Sequence, residues 1–124
     1  MSVRQIQWAL ASVFFVLGGW CLVSPGSVMA LTIRPEYQSQ DFIALFAFAC
    51  FGAQAILAGL FAAFSKFTKA TFLAYGLALL PFFVFNYWFF VVKPVLSVVG
   101  LLDAVGNLVM LALCFIGWRK APRV

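Results

Sequence analysis

ALFAFACFGAQAILAGLFAAF, residues 44–64, runs for six helical turns without one charged side chain. Membrane-spanning β-strands alternate apolar and polar residues with a period of two, whereas this stretch is apolar all round. A helix rising 1.5 Å per residue needs about 20 apolar residues to cross about 30 Å of hydrocarbon. Inside hydrocarbon there is no water for exposed backbone groups, and a continuous helix satisfies them internally. Residues 44–64 are therefore expected to lie within a transmembrane helix.

The rest of the chain repeats the pattern. Apolar segments at roughly 5–23, 42–64, 70–92 and 97–118 each meet or approach the spanning length. Together they use most of the 124 residues and leave no space there for a soluble domain. The composition agrees: 66% of residues are hydrophobic and 9% charged, against about 45–50% and about 25% in soluble domains. The expected fold class is all-α, a polytopic transmembrane four-helix bundle forming a single domain over 1–124.

Segment one admits a competing reading as a signal peptide, with Arg4 ahead of an apolar run and Val28 and Ala30 set two apart in SVMA. The run is longer than a usual signal core, so it is taken as a transmembrane helix. Orientation follows from charge. Arg4, Lys66, Lys69, Arg119, Lys120 and Arg123 fall at the N-terminus, the second loop and the C-terminus, against Arg34 and Lys93 in the first and third loops. The positive-inside rule then puts both termini in the cytoplasm (N-in/C-in). Short second and third loops favour antiparallel neighbours in an up-down-up-down order. The basic balance is thus explained by topology and favours anionic lipid head groups rather than nucleic acid.

The only long connection is outer loop 24–41, SPGSVMALTIRPEYQSQD. Its VMALTI stretch is apolar enough to lie in the interface, where it either lids a pocket or simply tethers two helices. Ala55, Gly59 and Ala63 in segment two, and Ala70, Ala74 and Ala78 in segment three, recur at intervals of four. Small residues at that spacing let membrane helices approach closely, so both stripes are expected to be packing seams. Pro81 should kink segment three and free the carbonyl of Leu77, opening a cavity beside PFFVFNYWFF. Sixteen Phe residues offer walls for lipid, helices or a ring-shaped ligand. Trp8, Trp20, Trp88 and Trp118 lie near segment ends, as an interfacial belt requires.

Few polar groups fall inside the expected spans. Asn86 and Asp103 sit on opposite sides of the short third loop, each about 9 Å inside the outer boundary on a 1.5 Å rise. Gln54 and Asn107 lie deeper, near mid-membrane. Asp103 and Asn107, four residues apart, share a helix face. The expectation is a polar column of Asn86 with Asp103 and Gln54 with Asn107, in which Asp103 bonds Asn86 or Tyr87. A carboxylate at a helix centre costs about 2.5–3.5 kcal/mol on insertion scales. It must be protonated, paired or wetted by a cavity, and Lys93 is the nearest cation able to reach down. Interhelical glue is the plain alternative, at about 0.6 kcal/mol per hydrogen bond.

Several classes are excluded or disfavoured. There is no His, so imidazole-ligated haem, chlorophyll and His-containing metal sites are ruled out within this chain. Cys21, Cys50 and Cys114 stand in three different apolar segments without C-x-x-C spacing and read as small apolar residues. No nucleophile–base pair or phosphate loop is present. The expectation is a protein that is not an enzyme and that carries no catalytic residue, cofactor or metal.

Four segments, a Pro25-Gly26 pair after the first, and the LLDAVGN stretch with Asp103 and Asn107 in the last resemble the DoxX-like small bacterial membrane proteins. The resemblance implies a multi-pass four-helix bundle in the bacterial inner (cell) membrane, and it draws interest to Asp103 and Asn107. Some members of that group are subunits of quinone-linked oxidoreductases. Two roles follow. The first is an accessory or assembly subunit of a larger membrane complex, suggested by small size and the lack of catalytic groups. The second is a binder or carrier of a small hydrophobic molecule (a lipid, quinone or isoprenoid-like compound) in an outward-facing pocket near Asp103.

Overall fold

The computed structural model describes residues 1–124 and is helical throughout, with one isolated bridge pair outside the helices. The helices are α1 (Val3–Val23), α2 (Pro25–Thr32), α3 (Phe42–Phe64), α4 (Lys69–Tyr87) and α5 (Leu102–Lys120). A π-helical turn, Trp88–Val92, extends α4, and a 3-10 turn, Val99–Leu101, leads into α5. Four helical stretches are long and apolar enough to cross a membrane: Val3–Val23, Phe42–Phe64, Lys69–Val92 and Val99–Lys120. This is a multi-pass membrane protein built as a helix bundle.

Helix boundaries follow local chemistry. α1 begins two residues earlier than its apolar pattern because Ser2 and Gln5 form a capping box: the Gln5 amide donates to Ser2 Oγ at 3.2 Å, and the Ser2 amide donates to Gln5 Oε1 at 2.9 Å. At the start of α4 the Thr68 amide donates to Thr71 Oγ1 at 3.2 Å, and the two hydroxyls lie 3.2 Å apart. The first loop departs most from expectation. Pro25 occupies the first turn of a helix, where its fixed φ and missing N–H are tolerated. The stretch after it coils into α2, burying Val28 and Met29.

The bundle is two helix pairs. α1 packs along α3, α4 along α5, and α1 joins the pairs through α5. The α1–α3 seam is the closest: a Cβ on Gly52 would lie 2.5 Å from Gly18 O, and one on Gly18 would lie 2.7 Å from Ala55 Cβ. Gly59 meets the rings of Phe14 and Phe15, and Ala63 is fully buried. The small-residue stripe of α3 is therefore a seam, as expected. The alanine stripe of α4 is not, because Ala74 and Ala78 are exposed and border a cavity. Despite their short connection, α3 and α4 do not form a packed pair. A hydrogen bond from Tyr75 Oη to Ala58 O, 3.1 Å, spans them. Pro81 lies inside α4, which continues through it; the departure from α geometry comes later, at Trp88–Val92.

The core sits at one end. Ile6, Leu10, Ala62, Phe67, Phe72 and Cys114 are central to it, with Phe67 and Phe72 edge to face at 4.9 Å. That end also gathers the termini and the second loop: Lys120 Nζ donates to Met1 O at 2.6 Å, and the Lys69 amide donates to Pro122 O at 3.0 Å. Gln7, buried in α1, donates from Nε2 to Ala62 O at 2.9 Å and Ser65 O at 2.6 Å. It satisfies carbonyls left over at the C-terminus of α3. Gln7→Leu leaves those carbonyls without their donor and is expected to cost about 1–2 kcal/mol, read as a lower melting temperature in detergent.

Candidate functional site

At the opposite end the helix pairs diverge and enclose space. An outer chamber of about 600 Å³ lies beneath α2 and the third loop. An inner chamber of about 530 Å³ continues toward the core between all four long helices. Leu17, Phe51, Phe82 and Asp103 line both chambers, so the two meet at Asp103. The walls are mainly aliphatic and aromatic, the lining expected of a hydrophobic ligand site.

The chambers have a roof made by loops one and three. Ile33 and Leu96 form an antiparallel bridge. The Arg34 amide donates to Val95 O at 2.8 Å, and the Ser97 amide donates to Thr32 O at 2.8 Å. Ser97 Oγ donates to Leu31 O at 2.5 Å. Arg34 adds a side-chain clamp, with Nε donating to Leu96 O at 2.8 Å and the guanidinium lying 5.5 Å from the Phe90 ring. Gly100 allows the close approach beneath α2, since a Cβ there would lie 2.7 Å from Thr32 O. Removing the clamp by Arg34→Ala is expected to speed amide exchange at Arg34 and Ser97 by about tenfold, measured by hydrogen–deuterium exchange.

Asp103 stands in the first turn of α5, where the positive end of the helix dipole favours a carboxylate. Its Oδ2 accepts from Asn86 Nδ2 at 2.9 Å and from Asn107 Nδ2 at 3.1 Å. Asn86 Nδ2 also donates to Phe82 O at 2.7 Å. Asn86 and Asn107 are 7% and 3% exposed, and Asp103 between them is half-buried, so the triad links α4 and α5 with its carboxylate partly accessible. Asn86 faces the outer chamber and Asn107 the inner one, with Asp103 between them.

The triad contains three of the expected site residues. Gln54 lines the inner chamber together with Asn107, and no hydrogen bond joins the two. Tyr87 is not part of the site: it is 61% exposed and lines neither chamber. It follows Asn86 directly, and a step of about 100° around the helix turns it away from the face that Asn86 presents. Lys93 is also exposed and does not line the chambers.

Two contributors were not legible in the sequence. Trp20, expected in an interfacial belt, lines the outer chamber, and its Nε1 donates to Ser27 Oγ at 2.8 Å, tying α1 to α2. The α3–α4 gap was hidden behind a short loop. Family models, curated proteins and solved structures were each compared with this chain, and none matches.

Proposed function

We propose that this chain binds a small hydrophobic molecule within the membrane, in the paired chambers beside Asp103. The observation that carries the reading is the meeting of chambers of about 600 and 530 Å³ at one partly buried carboxylate. Each volume lies in the usual range for ligand sites, about 300–1,000 Å³. Aliphatic and aromatic walls with a few convergent polar groups complete the resemblance to such sites. A lipid, quinone or isoprenoid-like molecule suits them. The unpacked α3–α4 gap gives a side route from lipid, where the ligand resides, while the roof blocks the direct route beneath loop one.

In this reading the bundle is up-down-up-down in a bacterial inner membrane, with the termini cytoplasmic. Supporting that orientation, Lys69 and Lys120 make their contacts at the end that holds the termini, whereas Arg34 is bonded into the roof. An accessory-subunit role calls for a solid core, and the chambers move the weight toward a binder. The chain is proposed as a binding protein, with no reaction assigned to it.

Native mass spectrometry on protein extracted gently from its own membrane separates the two. A reproducible small-molecule adduct, lost when Ala47→Phe or Ala78→Phe fills a chamber, is the expected result. Stoichiometric co-purification with larger polypeptides and no adduct would make the chain an accessory subunit instead.

A further inference from the structure

We infer that the chambers select a lipophile with a protonated amine head, which Asp103 holds; the inference rests on the binding role proposed above. A carboxylate oxygen only accepts hydrogen bonds, so both amides that meet Asp103 Oδ2 must turn their NH2 groups toward it. Their carbonyl oxygens then face away. Asp103 Oδ1, Asn86 Oδ1 and Asn107 Oδ1 take no hydrogen bond from the protein, and no unbonded polar side-chain atom is fully enclosed. These three acceptors therefore open to the chambers that their residues line.

The donors nearby are largely spent. Trp20 Nε1 serves Ser27, Thr32 Oγ1 serves Val28 O at 2.6 Å, and Tyr75 Oη serves Ala58 O. Both hydrogens of Asn86 Nδ2 are used. No Lys or Arg lines either chamber. In the inner chamber Gln54 Nε2 and the second N–H of Asn107 stay unbonded, whereas the outer chamber beside Asp103 is short of donors, and neither chamber holds a positive charge.

A protonated amine supplies both. An alcohol supplies a donor and leaves the carboxylate without a counter-charge, which is costly in a low-dielectric site. A fatty acid brings a second anion against the first. Aromatic walls add to the preference, because ring faces attract a cation. The expected order of affinity is amine, then alcohol, then carboxylate.

The test uses the full chain in phosphatidylcholine nanodiscs at neutral pH, with empty nanodiscs as baseline. Dodecylamine, dodecanol and dodecanoate are titrated by calorimetry. Dodecylamine should bind most tightly, and Asp103→Asn should weaken it by about tenfold or more, to near the dodecanol level. Dodecanol binding should change little. The ordering on the unaltered chain decides the question even where Asp103→Asn folds poorly. Dodecanol or dodecanoate binding as tightly as the amine, with Ala47→Phe still blocking uptake, would overturn the head-group inference alone. Absence of saturable binding by all three would overturn the binding role itself.

Discussion

Asp103→Leu is expected to leave the bundle about as stable as the parent chain while weakening uptake of the amine ligand by about tenfold or more. A carboxylate at a membrane-helix centre costs about 2.5–3.5 kcal/mol, and Asp103, in the first turn of α5, bears only part of that. Against this stand two hydrogen bonds across or along helices, worth about 0.6 kcal/mol each on average. The helix N-terminus adds about 0.3–1 kcal/mol. Cost and return are of similar size, so an apolar replacement should change stability by no more than about 1 kcal/mol. The check is a melting curve paired with adduct mass spectrometry on the same sample. A clear loss of stability with the adduct retained would make Asp103 interhelical glue.

The second large effect concerns the close seam within the α1–α3 pair. Gly52→Val should prevent α1 from seating on α3, because its Cβ would lie 2.5 Å from both Gly18 O and Leu22 N and 3.0 Å from Cys21 C. These are backbone atoms of a helix and cannot move aside singly. Overpacking of this kind costs about 3 kcal/mol or more, and little folded protein should be recovered. Gly19→Ala is the matched control: nothing lies within 4 Å of a Cβ there, so helix propensity should raise stability by up to about 1 kcal/mol. Equal behaviour of the two variants would mean that the seam is not where the structure puts it.

Sequence alone located the four long helices because membrane spans are read from length and continuity, and the boundaries differ only by caps and end turns. It also located Asn86, Asp103 and Asn107 by depth, since rise per residue converts position directly into level. Direction around the helix was less accessible. Tyr87 shares the depth of Asn86 yet faces outward, and Trp20 sits near a helix end yet turns toward the chamber. Uniformly apolar helices have almost no polar face, so periodicity does not reveal which side packs. For the same reason, the alanine stripes of α3 and α4 look equivalent in sequence, although one forms a seam and the other borders a gap. Loop one was expected only to be a long connection with VMALTI in the interface, whereas Pro25 at a first turn starts a helix there.

The most direct measurement of chamber occupancy uses Trp20, the one tryptophan that lines the outer chamber. A variant retaining only this indole, with Trp8, Trp88 and Trp118 replaced by Phe, is titrated with a tail-brominated dodecylamine in nanodiscs. Saturable quenching of Trp20, removed by Ala47→Phe and absent from a variant that retains only Trp118, is the predicted result. Quenching of Trp118 as strong as that of Trp20, rising linearly with added probe, would show partition into lipid alone and contradict a binding chamber at Asp103.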